Sequence, residues 1–401
     1  MPRKPLMLIL LLIFTFFLPR DYAIASSEFE PGGEPYSGLP ICQPEFYADQ
    51  TSECLPLGPS EVLSNLAAEG IEYPAPPLPA SHPDKSLTEL TINLAKINLP
   101  ITENAYIYGS LDGAINGGES GKPLQAGEIV YVSFSEQVSV NGNAYVSPKS
   151  GGWMRASPIS GYSQFQGLTF SETPQQDFGW IISPTRPRSS PDYQAEELDY
   201  EIPRETVVQI YDIEEVNGTK WFMVDLNRWV DDINIAQLIV NQTPPEGVPG
   251  DRWIELNLHE QTIAVYENRE LVFASLIASG VDPYFTRPGL FQIYEKKPLE
   301  TMSGAFAADR SDYYHLEDVP WTLYFDEARA LHGAYWRAMF GYEQSHGCVN
   351  MSVGDSRWVY DWADVGDWVY VWDPSGRTPT DPGFYGAGGA SHKRSCIGLD
   401  P

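Results

Sequence analysis

Leu331-His332-Gly333 precedes Ser345-His346-Gly347-Cys348-Val349-Asn350, and Cys348 follows His332 by sixteen residues. The 401-residue chain holds four cysteines and six histidines, so one thiol and two imidazoles in so short a window are concentrated chemistry. A thiol becomes a strong nucleophile only as the thiolate, which needs a base or cation beside it. The neighbouring glycines let backbone N–H groups approach a reacting carbonyl closely. The stretch reads as a cysteine acyl-transfer site. A zinc site would need clustered ligands, and no Cys-x-x-Cys or His-x-x-x-His spacing is present, so no metal or other cofactor is expected.

Outward from this motif the pattern is that of short strands. Thr262–Tyr266 and Leu271–Ser275 flank Glu267-Asn268-Arg269-Glu270, a hairpin by composition. Residues 289–294, 321–325 and 368–372 read as further strands. Ser352-Val353-Gly354-Asp355 has capping-box form and opens one helix that ends before Gly366.

Upstream, Asn141-Gly142 and Asn217-Gly218 each stand twelve residues before a tryptophan, Trp153 and Trp229, at a period of 76 residues. Asn-Gly suits the two-residue hairpin turn, in which both central residues take positive φ. Two copies of a small β module are predicted, with both tryptophans in the core. Residues 26–93, rich in Pro and Glu, read as an extended tether.

The first residues have the order of a secretory signal: Arg3 and Lys4, an apolar run from Leu6 to Leu18, then Ala23-Ile24-Ala25. Thirteen apolar residues are fewer than the ~18–20 that span a bilayer, so no stable membrane span is expected after cleavage. Net charge is −29 and becomes −31 when residues 1–25 are removed. Such acidity argues against nucleic acid as a partner, since phosphates would be repelled. In an oxidising compartment Cys42 and Cys54 are expected to pair, with Cys396 left over; pairing Cys396 with Cys348 would disable the site.

The His-Gly pair, the Ser-His-Gly-Cys-Val-Asn motif and Thr286-Arg287-Pro288-Gly289-Leu290-Phe291 together resemble the L,D-transpeptidases, the YkuD-type catalytic domain. The upstream repeat is similar to bacterial SH3-like domains. The resemblance implies a mainly β protein: a YkuD-like β-sandwich with one short helix, preceded by two small SH3-like β-barrels. The expected organisation is signal peptide 1–25, linker 26–93, SH3-like domains 94–160 and 161–243, catalytic domain 250–373 and a Gly-rich tail 374–401.

In that family pattern Cys348 is the nucleophile and His332 the general base, oriented by the carbonyl of Gly333. His346 either tunes the thiolate and binds substrate or merely fixes the loop. The N–H groups of Gly347 and Cys348 are the expected oxyanion donors, and Ser345 and Asn350 hold the loop. Many family members carry Arg where this chain has Asn350, so carboxylate recognition is expected from elsewhere, with Arg337 as candidate. Tyr324, Trp336 and Tyr342 are expected to line the groove, and Thr301–Tyr314 to form a lid. The implied reaction joins peptidoglycan stem peptides, donor and acceptor, into 3→3 cross-links in the wall, envelope or periplasm, with carbapenems as inhibitors. An L,D-carboxypeptidase using water, and a non-catalytic wall-binding protein, stay open as alternatives.

Overall fold

Trp253-Ile254-Glu255-Leu256-Asn257 alternates its side chains between two faces, as any strand must, yet every residue in it is buried. A strand buried on both faces has to lie between two layers. In a computed structural model, which describes residues 59–100, 103–117, 120–127, 129–305 and 313–385, both layers are present. The signal segment 1–25, Cys42, Cys54, Cys396 and most of the tail lie outside the described residues.

The strand sits in a seven-stranded sheet. Its neighbours are Thr262–Glu267, antiparallel, and Trp368–Trp372, parallel. Ile254 and Leu256 face one core, with Ile263, Val265, Phe273 and Val371, against a second sheet that supplies Leu323, Phe325, Leu331 and Val349. The helix Val353–Trp362 closes this core through Val359. Trp253, Tyr266 and Leu276 face the other way, onto Phe178, Trp180 and Leu238. Burying an aliphatic or Phe-sized side chain contributes about 1.5–3 kcal/mol, so both layers stabilise the central sheet.

The expected hairpin is present. Glu267 pairs with Glu270, and Asn268 and Arg269 both take positive φ in the turn. Both Asn-Gly turns also form: Val140 pairs with Asn143 across the first and Val216 with Thr219 across the second, with all four turn residues at positive φ. Trp229 is core, whereas Trp153 is half-buried and backbone-paired with Tyr108.

Closed barrels are not what the hydrogen bonds describe. The first hairpin belongs to the second sheet of the sandwich: strand Ile129–Val140 pairs in parallel with Tyr314–Asp326. The second module is a pair of three-stranded sheets packed on Ile181, Ile210, Phe222, Val230 and Ile235. Turn chemistry specifies a hairpin but not its partner strand, which is why the two modules diverge.

The tether expectation fails from Pro59 onward. Helix Pro59–Ala68 seats Leu66 among Tyr211, Trp221 and Met223, and Tyr73 donates to Asp225. Strand Ala80–Ser81 then pairs with Phe170 and Thr169. Proline-rich composition does not prevent packing when apolar residues such as Leu66 fall between the prolines. The tail is folded as far as Tyr385, where the guanidinium of Arg329 lies over the tyrosine ring. The expected lid is in part strand: Glu295–Gly304 and Tyr314–Asp326 form antiparallel arms, and residues 306–312 lie outside the described residues.

Candidate active site

Strand Arg329–Gly333 and strand Val349–Met351 run parallel, with Leu331 opposite Val349, His332 opposite Asn350 and Gly333 opposite Met351. This register brings the two halves of the motif side by side. Gly333 has no room for a side chain: a Cβ would lie 2.6 Å from Ser356 Oγ and 2.9 Å from Pro320. The intervening loop is laced to residues 278–281. Ser345 N–H and Gln344 N–H both donate to Ser279 O at 2.9 Å, and Val281 N–H donates to Ser345 O at 3.0 Å.

Thr286, fully buried, accepts from Gly280 N–H and donates to Gly347 O, both at 2.9 Å. The Thr286–Phe291 stretch therefore supports the motif loop directly. Ser345 Oγ donates to Cys348 O and accepts from Gly347 N–H at 3.0 Å, a local clasp that fits its expected holding role. That bond also occupies the Gly347 N–H expected at the oxyanion. Gly347 has φ +112°, a conformation other residues rarely adopt.

His332 is 1% exposed. Its Nδ1 lies 3.2 Å from Gly333 O and its Nε2 3.2 Å from Asn350 Nδ2. Asn350 Oδ1 accepts from Arg337 Nε at 3.2 Å, which fixes the amide orientation. The chain of donors then reads Arg337 to Asn350, Asn350 to His332 Nε2, and His332 Nδ1–H to Gly333 O. Burial, against the opposing bond to Gly333 and with a smaller contribution from the Arg337 charge, pushes the imidazole pKa down to about 4. The ring is thus neutral, with its acceptor nitrogen at Nε2.

A cavity of about 40 Å³ joins these groups. Its polar side is His332, Arg337, Ser345 and Asn350; its apolar side is Ile129, Tyr314, Leu316 and Trp336; Cys348 and His346 complete it. His346 is half-buried, its ring stacked on Tyr314 at 5.7 Å and tilted on Tyr284 at 4.9 Å. Cys348 Sγ lies 3.7 Å from Ala328 O. Cys348 is disulfide-bonded, so the cavity is that of the oxidised protein.

Of the expected groove residues, Trp336 reaches the cavity and packs on His332 with ring centroids 5.6 Å apart. Tyr324 does not: it is fully buried, stacked on Tyr294 at 6.1 Å. Tyr342 packs instead against the core around Trp180 and Leu276, donating to Ile182 O at 2.7 Å under Arg204. Tyr324 packs in the same apolar cluster as Cys348, Tyr314 and Leu316 without reaching the cavity lining, and Tyr342 lies in a bend rather than on a strand. Ile129 and Leu316 went unread because nothing local to either indicates that their strands pair.

Residues 251–371 match the family model of the L,D-transpeptidase catalytic domain, YkuD. No curated protein matches the chain. Among solved structures, an L,D-transpeptidase (Yku) from Stackebrandtia nassauensis is 25% identical over 34% of this chain and 60% of its own, with a TM-score of 0.27. This chain thus spans about three fifths of that protein's length. The catalytic domain of an E. faecium L,D-transpeptidase acylated by ertapenem is 23% identical over 31% of this chain and 100% of its own, TM-score 0.28. An L,D-transpeptidase from Mycobacterium smegmatis is 17% identical over 52% of this chain and 90% of its own, TM-score 0.29. Residues 251–371 are a catalytic domain of the YkuD, L,D-transpeptidase type.

Proposed function

We propose that this protein is an exported peptidoglycan L,D-transpeptidase that forms 3→3 cross-links through a Cys348 thioester. The observation that carries this reading is the neutral imidazole of His332, held between Gly333 and Asn350 in the cavity that also receives Cys348.

His332 Nε2 takes the Cys348 proton, and the thiolate attacks the carbonyl carbon at the L-centre of the third stem residue. The tetrahedral oxyanion is met by backbone N–H groups of Gly347 and Cys348, the first only on leaving Ser345 Oγ. Collapse breaks the C–N bond, and His332 returns its proton to the departing D-alanine amine. An amine of a neighbouring stem then attacks the thioester, His332 removes its proton, and the thiol is restored as the C–S bond breaks. Asn350 must yield Nε2 for the first transfer, and Arg337, beside it, is suited to pair with the donor's terminal carboxylate.

A disulfide sulfur carries no ionisable proton, so Cys348 must first be reduced. That same disulfide is the observation favouring the second reading, an unreactive wall-binding protein. Among the described residues no helix is long and apolar enough to cross a membrane. The test is product analysis by mass spectrometry after reduced protein meets a disaccharide-tetrapeptide muropeptide, beside Cys348→Ala. A dimer lacking one D-alanine, absent with the variant, supports transpeptidation. Tripeptide monomer alone would make the protein a carboxypeptidase, and unchanged substrate would favour the wall-binding reading.

A further inference from the structure

The cavity at Cys348 is not built by residues 251–371 alone. Strand Ile129–Val140 pairs in parallel with the start of strand Tyr314–Asp326, with Ile129 opposite Tyr314, Val130 opposite His315 and Leu316 opposite Tyr131. Residues facing each other in a pair, and those two apart along a strand, share one face of the sheet. Ile129, Tyr131, Tyr314 and Leu316 therefore stand together, and Val130 and His315 stand on the opposite face. Ile129, Tyr314 and Leu316 form the apolar wall of the cavity, against Arg337 and Asn350 on the polar side.

Two further observations fix this wall in place. Behind it, Tyr131 meets Tyr335 edge-on at 5.5 Å, Tyr335 meets Trp336 at 4.8 Å, and Trp336 lies 5.6 Å from His332. At the strand's entry, Gly127 is pressed against Tyr313: a Cβ there would lie 2.3 Å from its carbonyl oxygen. A side chain at 127 would have to push the strand away from Tyr313.

We infer that Ile129 is a specificity-determining residue, which admits to Cys348 only acyl donors that turn a small apolar group toward the Ile129–Tyr314–Leu316 wall. The inference rests on the proposed acyl-transfer reading for the word donor, but the wall itself is tested without turnover. A β-branched side chain has little rotamer freedom, so Ile129 sets a fixed boundary where a longer flexible residue would yield. The chemistry that fits is an alanine-sized methyl group. A bulky aromatic group would meet Ile129, and a charged one would be desolvated against it without a partner.

The test uses the full chain after reduction, with site-resolved mass spectrometry at Cys348. Iodoacetamide and a bulky N-aryl maleimide are compared in wild type, Ile129→Ala, Gly127→Val and the opposite-face control Val130→Ala. Ile129→Ala is expected to raise the maleimide-to-iodoacetamide rate ratio by about tenfold or more, the scale on which an apolar pocket discriminates by a few carbons. Gly127→Val is expected to move the ratio the same way without touching the cavity lining, and Val130→Ala to leave it within about threefold. Muropeptide pairs differing only in the size of the terminal D-residue are expected to follow the same order. An unchanged ratio in Ile129→Ala with an unchanged melting curve would overturn the wall. A shifted ratio with no muropeptide turnover in any variant would leave the wall standing and remove the transpeptidase reading.

Discussion

The two sides of the cavity at Cys348 come from the chain in different ways. The polar side, His332, Arg337 and Asn350, spans nineteen consecutive residues and is assembled by one short parallel strand pair. The apolar side joins Ile129 to Tyr314, 185 positions apart. Chemistry that depends on a few fixed contacts is written locally, where a motif can carry it. The shape that selects a substrate is set by sheet pairing, which no local stretch encodes.

The largest expected effect lies on the polar side. With reduced protein, Cys348→Ala should abolish acylation, and His332→Ala should lower its rate by about 10²–10⁴-fold, the range of a general base. Stopped-flow or quenched mass measurements would report both. If His332→Ala acylated at the wild-type rate, the base would have to be assigned elsewhere. Oxidised protein should behave as Cys348→Ala until a reductant is added, because its sulfur is held in the disulfide.

A smaller effect is expected from Asn350→Ala, which removes the amide bridge between Arg337 and His332 while sparing the guanidinium and the imidazole. The acylation rate should fall by about 10–100-fold, the scale of outer partners that orient a functional histidine. KM for the donor should rise with Arg337→Ala instead, separating recognition from orientation. Equal effects of both variants on kcat and KM would merge the two roles.

The pH dependence follows from burial. His332 is neutral down to about pH 4, so it does not limit activity between pH 5 and 8. For stability, the unfolded chain binds more protons at His332 between about 6.5 and 4, so this group lowers stability as pH falls through that window. Asp355 acts oppositely. It is fully buried, accepts from Gly167 N–H at 2.8 Å and Ser275 Oγ at 2.6 Å, and burial pushes its pKa up to about 6. The fold then holds a proton that the unfolded chain has lost, and stability falls as pH rises from about 4 to 6. Asp355→Asn should remove that dependence, on the order of 1–3 kcal/mol, in melting curves across this range. A slope unchanged by the variant would place the titration on another buried carboxyl such as Glu255, pushed up to about 7.

Much of this was legible beforehand, for identifiable reasons. His332 and Cys348 stand out by residue type and spacing, while the Gly333 carbonyl is expected only from the family resemblance; in the structure His332 Nδ1 lies beside Gly333 O and Ser345 Oγ donates to Cys348 O. The Asn-Gly turns were readable because positive φ at two successive residues restricts the residue types. Asp355 was read only as a helix-capping residue. Its carboxyl also ties Gly167 to the sandwich, a contact 188 positions away. Tyr324 does not line the cavity because proximity to a motif does not determine whether an aromatic ends at the surface of a groove or in the core beside it. The segment 59–93 reads as tether because its apolar residues are sparse, although Leu66 and Tyr73 are among those that anchor it.

The most direct measurement is the intact mass of the reduced chain after exposure to a carbapenem, with peptide mapping. One adduct per chain, located on Cys348 and absent from both the oxidised protein and Cys348→Ala, is the expected result. No adduct on reduced protein, or one that forms equally well on Cys348→Ala, would contradict the assignment of this cavity as an acyl-transfer site.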